Sequence, residues 1–535
     1  MPLGIYVSRC GGRVDAVVDI DQAIAGVSKR AAVVRVFDDV FDTGVAERIA
    51  RDVTDCELDA VVLAGHSVEH YSKSLSANHL REKIAEAGVN PNRIVAANIL
   101  EQCALAHPDD PAGATTKASA IIDVAAKRAE MAEALEGTSI EPRCAVMILG
   151  VTAEAVVAAQ RLLRLGYSVV LADREDGCER TGRAQSMHAT ASYVMGHPAA
   201  ELVDSARLVD GDGYLGDYHI TLDSPEGRST YRVGGILLAR PDHTEWVDEL
   251  RHHFRVDVDD EGFARSLDPS MHPAETVDEG IMVVPVRRAD ALERDKVAAA
   301  DAAAMALVLR LSQSTVTHYR DTSAVDESLC GGCATCVRTC AFGACSIGAD
   351  GFSHVDERRC VGCGKCVVSC PVGARDIVNS PHDYLLDAVR SLAEVPAEGD
   401  KVIGFLCGGC GYPAADHGAS EVANRGRGYP ASFLPVRIPC GGRLDTLYVL
   451  EAFKAGFDAV CVYRCREGHC HNLVGNLDMD RRINLLRTVL RSRNLDDARL
   501  RIVDISPFEG ERFVESVEEV YATVGALANG KGGPL

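Results

Sequence analysis

The chain has no stretch approaching the ~18 uninterrupted apolar residues that would cross a bilayer, so no direct membrane span is expected. It has no surplus of basic charge either. Its 56 Lys and Arg face 78 Asp and Glu, for a formal charge of −22, which argues against nucleic acid as a partner. The opening residues, "MPLGIYVSRCGG", lack a basic segment followed by an apolar one. They read as a first strand and not a signal peptide, so a cytoplasmic protein is expected. Aromatic residues are scarce at 5%, with Trp246 the single tryptophan, and there is no low-complexity tract. No convincing nucleophile–base pair stands out, and the chain is expected to carry no substrate-transforming site of its own.

Cysteine, by contrast, is plentiful: there are 20 in 535 residues. In a cytoplasmic chain these should be metal ligands or free thiols and not disulfides. The length suggests roughly three or four domains. The 47% hydrophobic and 25% charged composition is that of an ordinary globular protein.

Along residues 1 to 135, β-branched runs ("LGIYVSRC", "AAVVRVF", "DAVVLAGHS", "RIVAAN") alternate with helical patterns, which argues for a parallel sheet covered by helices. A long helix is expected over about 114–136. A second α/β unit starts at "CAVMILG" and continues through "AEAVVAAQRLLRLG" to "YSVVLAD". Residues 200–290 look like irregular antiparallel strands, closed by the helical "DKVAAADAAAMALVLRL". Residues 401–530 form a last α/β unit, with strands at "KVIGFLC", "LPVRIPC", "AVCVYRC" and "LRIVDI" and helices near 443–455, 481–493 and 510–527.

Between these units a cysteine pattern occurs twice. Cys330, Cys333, Cys336 and Cys340 repeat as Cys360, Cys363, Cys366 and Cys370, each set spaced Cys-x2-Cys-x2-Cys-x3-Cys. Three thiolates on one tight loop can reach three corners of a 4Fe–4S cluster, and the fourth points to the other cluster. The expected assignment is therefore crossed: Cys330, Cys333, Cys336 and Cys370 for one cluster, Cys360, Cys363, Cys366 and Cys340 for the other. The fourth cysteine is expected to begin the return helix. Gly331, Gly332, Gly362 and Gly364 are expected to let backbone amides approach the sulfurs. Pro371 follows the last cysteine, whereas Ala341 stands after Cys340. Zinc usually takes two such pairs far apart in sequence. Cys345 reads as a buried thiol. The module resembles the two-cluster bacterial ferredoxins.

Five further cysteines lie near strand ends: Cys407 and Cys410 in "FLCGGCGYP", Cys440 in "RIPCGGR", and Cys465 and Cys470 in "YRCREGHCHN". An open parallel sheet gathers its ligands at the carboxyl ends of its strands, so these residues should converge on one edge. The stretch from "GFLCGGCGY" to "ISPFEGERF" resembles the delta subunit of methyl-viologen-reducing hydrogenase and includes all five cysteines. The resemblance implies a 2Fe–2S cluster and electron transfer from a hydrogenase or formate dehydrogenase. Four thiolates suffice for such a cluster, so one of the five is spare; zinc or plain thiols are the alternatives. Cys461 reads as core.

"GIYVSRCGG", "AGVNPNRIVAANILEQCALAH" and "PDDPAGATTKA" resemble the N-terminal domain of the heterodisulfide reductase A-subunit. That family continues with a flavin domain and ferredoxin clusters, in the order seen here with a shortened middle. Its N-terminal domain usually holds another cluster. At the matching places this chain has Ser8, Cys10, His66 and Cys103, a poor donor set for a cubane, and no cluster is expected there. Cys56, Cys144 and Cys178 read as plain thiols. The flavin fingerprint falls at "GVTAEA". Gly150 and, at the next strand end, Asp173 keep the positions of flavin-binding residues. Thr152 and Ala155 replace glycines, and Glu154 places a negative charge where a helix N-terminus would meet phosphate. FAD binding is accordingly disfavoured, leaving a scaffold that kept the fold.

The expected fold class is α/β and multidomain, with Rossmann-like parallel sheets, a bacterial-type ferredoxin module and a C-terminal α/β iron–sulfur domain. The expected domains are 1–140, 141–320, 321–395 and 396–535. The resemblances imply an iron–sulfur electron-transfer subunit with two 4Fe–4S clusters and one 2Fe–2S cluster. It would work with the other subunits of a heterodisulfide-reductase-like complex and a hydrogenase- or formate-dehydrogenase-type donor. The alternatives are an FAD-containing bifurcating or quinone-linked subunit, and a redox-sensing scaffold.

Overall fold

The computed structural model describes residues 1–67, 75–174, 188–239, 244–259, 261–265, 274–284, 293–425, 428–493 and 496–529. Three parallel sheets carry the chain. The first orders its strands Val33–Phe37, Leu3–Ser8, Ala60–Gly65 and Ile94–Asn98. Leu3–Ser8 and Ala60–Gly65 are buried along their whole length, as strands covered on both faces must be. The long helix that follows is Pro111–Met131, a few residues earlier than expected. Asp110 caps it by accepting from Gly113 N, and Pro111 sits in the first turn where a missing N–H costs nothing.

The middle sheet has the order Ile281–Val283, Gly235–Leu238, Ala145–Leu149, Ser168–Ala172 and Ala200–Val203, all parallel. The expectation of antiparallel strands over 200–290 therefore holds for Arg207–Tyr214, Asp217–Ser224 and Gly227–Val233 and for the short pair Asp257–Val258 and Ala264–Arg265, but not for the strands of this central sheet. The run "YRVGGILLA" divides at its glycine pair. A Cβ on Gly234 would stand 2.2 Å from Arg143 O, and one on Gly235 2.5 Å from Leu307 Cδ1. Only bare backbone lets the chain pass from the antiparallel layer into the central sheet.

The last sheet orders Phe433–Ile438, Val402–Cys407, Ala459–Cys465 and Leu500–Ile505, again parallel. Its helices Thr446–Lys454 and Gly510–Asn529 lie at the expected places, and Gly475–Ser492 begins several residues earlier than expected. Helix Gly411–Arg425, not foreseen, fills the first crossover. Its sequence hides the pattern because Gly418 packs against the start of Gly510–Asn529, where a Cβ would lie 3.1 Å from Gly510 O. Among the described residues no helix is long and apolar enough to cross a membrane.

The units are joined by polar contacts, some partly exposed and some buried. Arg358 Nε donates to Asp212 Oδ1 at 2.8 Å, and Arg359 forks onto Asp210 with two bonds of 2.9 Å, docking the cysteine repeat on the antiparallel layer. Lys365 and Asp478 form an ion pair of 2.7 Å between the repeat and the last unit, with side chains 3% and 20% exposed. Lys117 lies between the first and last units, fully buried, with Nζ 3.0 Å from His107 Nε2; His107 Nδ1 is 3.0 Å from Tyr429 O.

Two outcomes are expected. Asp478→Asn leaves Lys365 without a counter-charge. It should cost about 2–3 kcal/mol, read as a lower midpoint in denaturant, because removing one partner of a buried pair orphans the other. Burial lowers the Lys117 ammonium to about 8. Above that pH the unfolded chain holds more protons than the folded one, up to the ordinary lysine value of about 10.4, so stability should rise with pH across this window. A Lys117→Met variant should lose that rise when melting is compared between pH 7.5 and 10. A rise of equal size in both proteins would sink the assignment.

Candidate metal centres

The five C-terminal cysteines gather at the carboxyl edge of the last sheet. Cys407 and Cys465 end neighbouring strands, and Cys440 follows Phe433–Ile438 by two residues. The Sγ atoms of Cys407, Cys410 and Cys465 all lie within 4.8 Å of one another, and all three residues are buried. Cys407 Sγ and Cys465 Sγ are 3.8 Å apart. A tetrahedral metal with bonds of about 2.3 Å separates two thiolates by about this distance. Cys440 and Cys470 flank one point on the other side: a Cβ on Gly475 would stand 2.4 Å from Cys440 Sγ and 3.6 Å from Cys470 Sγ. Hydrogen bonds from Cys410 and then Cys465 draw Cys407 well below the usual thiol range. Those from Cys440 and Cys465 do the same for Cys470. Gly411 N donates to Cys407 Sγ at 3.4 Å and Gly442 N to Cys440 Sγ at 3.3 Å. A buried, amide-solvated set of soft donors is the chemistry that suits iron–sulfur or zinc binding. Cys461 is buried in its strand, and burial pushes its thiol up to about 12.

Sequence reasoning missed two neighbours of this group. His471 is buried with Nδ1 3.6 Å from Cys465 Sγ and 3.9 Å from Cys410 Sγ. Its Nε2 lies 3.4 Å from Asp257 Oδ1, a buried carboxylate of the middle unit. Burial opposes charge on this ring, yet Asp257 outweighs it and the pKa is raised. "CHN" offered a histidine beside a cysteine, but nothing in the sequence pointed to a partner so distant along the chain.

In the repeat, Cys330, Cys333, Cys336 and Cys370 line one concavity together with Gly331, Gly332 and Ala334. Cys360, Cys363, Cys366 and Cys340 are near enough to act on one another's ionisation. Cys345 is buried beside this second set. Its hydrogen bonds lower Cys340 to about 5 and Cys366 to about 6, while its own thiol is pushed up.

Two details differ from expectation. Cys340 and Cys370 do not begin a helix. They end the short helices Thr335–Thr339 and Lys365–Ser369 in extended backbone, and each Sγ then accepts an amide at 3.3 Å, from Ala344 and Ala374. The glycines answer backbone crossings as well: a Cβ would stand 2.3 Å from Gly351 O at Gly332 and 2.3 Å from Asp321 O at Gly362. Arg375, buried, serves both halves. It donates to Ser353 Oγ at 2.6 Å and Ser323 Oγ at 3.2 Å, and those hydroxyls lie 3.1 Å from Cys336 Sγ and 3.3 Å from Cys366 Sγ.

The two halves of the sulfur system meet. Cys363 packs against the core that contains Cys407, Cys410, Cys440, Cys465 and Cys470. Gly364 makes the approach possible. Its φ is +75°, and a Cβ there would stand 2.3 Å from Cδ of the fully buried Arg443. Arg443 in turn donates to Tyr448 Oη and to Ser380 O.

In the first unit, Ser8 and Cys10 stand at the end of Leu3–Ser8, His66 after Ala60–Gly65, and Cys103 in the turn Leu100–Ala104. They share a sheet edge, but Cys10 makes its own local bonds: Ser8 Oγ accepts from Cys10 N at 3.1 Å. Burial raises Cys10 to about 11 and Cys103 to about 12, the state of a protonated core thiol. Cys56 and Cys144 are exposed, and Cys178 lies outside the described residues.

At the flavin fingerprint Gly150 keeps its left-handed turn at φ +88°. Thr152, however, caps the helix itself, accepting from Ala155 N at 3.2 Å, and Glu154 occupies the first turn. Asp173 is buried at its strand end, where its carboxylate accepts from Arg174 N at 2.9 Å. A self-capped, acidic helix start does not fit a pyrophosphate.

Comparison with known proteins agrees with this layout. The family model of the methyl-viologen-reducing hydrogenase delta subunit matches residues 402–528, and that of the 4Fe-4S binding domain matches residues 354–376. The A-subunit of the ferredoxin:CoB-CoM heterodisulfide reductase of Methanosarcina mazei is 36% identical over 258 residues, 48% of this chain and 32% of that one. The chain thus spans about a third of the length of that relative. The iron-sulfur D-subunit of the F420-non-reducing hydrogenase vhc of Methanococcus voltae is 34% identical over 128 residues, 24% of this chain and 85% of that one. Thioredoxin reductase of T. acidophilum covers 31% of this chain and 98% of its own at 11% identity, with a TM-score of 0.22, too low to carry an argument. The C-terminal part of this chain belongs to the methyl-viologen-reducing hydrogenase delta subunit family, fused behind a portion homologous to the heterodisulfide reductase A-subunit.

Proposed function

We propose that this protein is the electron-transfer subunit of a heterodisulfide-reductase-like complex, taking electrons from a hydrogenase- or formate-dehydrogenase-type partner and passing them to a second partner. The observation that carries this reading is the packing of Cys363 against the core that holds the five C-terminal cysteines, which joins the repeat and that edge in one sulfur system. Bound 2Fe–2S and 4Fe–4S clusters would supply one-electron carriers. Four of Cys407, Cys410, Cys440, Cys465 and Cys470 would hold the first. Cys360, Cys363, Cys366 and Cys340 would hold the second, and Cys330, Cys333, Cys336 and Cys370 the third.

The remaining residues insulate and tune. The five C-terminal thiols are buried, which keeps water from the donor end. Cys333 is exposed, and Ile347 and Val372, which line the same concavity, show apolar surface, which suits transient docking of an acceptor. Cationic Arg375 favours added negative charge on either half of the repeat. The middle unit acts as a scaffold: Arg251 donates to Gly468 O at 2.9 Å and Asp257 braces His471, both on the loop that carries Cys465 and Cys470.

Anaerobically purified protein should contain about ten irons per chain and no flavin. Stoichiometric flavin released on denaturation would refute the scaffold role of the middle unit, and about eight irons would remove the C-terminal site. Cys440→Ser should alter or abolish the two-iron EPR signal while the cubane signals stay. Unchanged spectra would exclude Cys440 as a ligand.

A further inference from the structure

A cavity of about 420 Å³ opens where four parts of the chain meet. Arg81 and Asn92 come from the first unit, Tyr214 and Arg255 from the middle one, Arg320 from the segment leading to the repeat, and Cys360 from the repeat itself. Its volume lies in the range of small-molecule sites. It is separate from the flavin fingerprint. That motif lies at the carboxyl ends of the central strands, whereas Asp278 and Glu279 enter the wall just before strand Ile281–Val283 begins.

Three guanidiniums share this wall, and only one is neutralised. Arg255 Nε donates to Asp278 Oδ1 at 2.9 Å, with Nη2 2.7 Å from the same oxygen. Arg81 Nη2 donates to Pro91 O at 3.4 Å. Arg320 Nη1 donates to the carbonyls of Glu357 and Arg358 at 2.6 and 2.9 Å. Among the described residues neither Arg81 nor Arg320 has a carboxylate within ion-pair distance. The other acids on the wall do not serve them. Asp321 accepts from Asn379 N at 2.9 Å, and Glu279 is exposed and acts on Arg81 only through space. Both side chains are partly buried, and that burial lowers their pKa more than Glu279 or Asp278, acting through space, raises it. Two partly buried cations without an ion-paired carboxylate, facing one cavity, favour an anion there. Guanidinium forks match the paired oxygens of carboxylates and phosphates.

We propose that this cavity binds a small anion bearing carboxylate or phosphate oxygens, held between Arg81 and Arg320 on the Cys360 side of the repeat. The site stands on these residues and does not depend on the electron-transfer reading. Because Cys360 lines the same cavity, a bound anion would also alter the surroundings of the repeat's second half.

The test is calorimetric titration of the full-length, anaerobically purified protein with inorganic pyrophosphate and, separately, succinate, at constant ionic strength. Saturable one-to-one binding of at least one is expected. Binding of pyrophosphate alone assigns a phosphate ligand, and of succinate alone a carboxylate. Arg81→Gln should weaken binding about tenfold or more, the loss of one charge-assisted fork. Absence of binding by both anions, or equal binding by wild type and Arg81→Gln, overturns the proposal. Should Arg81→Gln fail to fold, Glu279→Gln decides. Removing the negative charge that acts on Arg81 should tighten binding, and unchanged or weaker binding overturns the site.

Discussion

The sulfur system depends on one contact between a backbone and a buried cation. Gly364 can lie against Arg443 only because it has no side chain, and that contact brings Cys363 to the edge where Cys440 waits. Arg443 is fully buried and is tolerated there because Tyr448 Oη, Ser380 O and Asp376 Oδ1 accept hydrogen bonds from it. Nearby, the Lys365–Asp478 pair repeats the arrangement with a second buried cation. Two charged side chains buried at one junction are expensive, and their alternatives are few. The junction is fixed in register, which a purely apolar interface would not guarantee.

Much of this was legible in the sequence because parallel sheets write themselves plainly. Fully buried strands read as continuous β-branched runs, and the crossover helices between them as 3.6-residue patterns. The repeat was legible for a different reason: covalent spacing decides which thiols a tight loop can bring together. What escaped was non-local. Asp257 and His471 meet across two units, and no periodicity marks a pair so far apart. The division of "YRVGGILLA" between two sheets turned on what surrounds Gly234 and Gly235, which only the packed structure supplies. The fourth cysteines of the repeat were placed at helix starts, but positive φ at Ala334 and Gly364 begins each short helix earlier, so that Cys340 and Cys370 close it.

The middle unit has a parallel sheet and a left-handed turn at Gly150, and Thr152 caps the helix that follows. The unit is engaged on two sides. It receives the repeat through Asp210 and Asp212, and it braces the loop of Cys465 and Cys470 through Arg251 and Asp257. A unit holding two neighbours in fixed relation is constrained by its surface as much as by its core.

Arg375 has a consequence for inheritance. Each half of the repeat reaches the same guanidinium through its own serine, Ser353 on one side and Ser323 on the other. Neither half owns this charge. A duplicated motif is usually free to diverge, one copy drifting while the other keeps the trade. Here a change at either serine redirects the guanidinium for both, and the two copies are bound to age together.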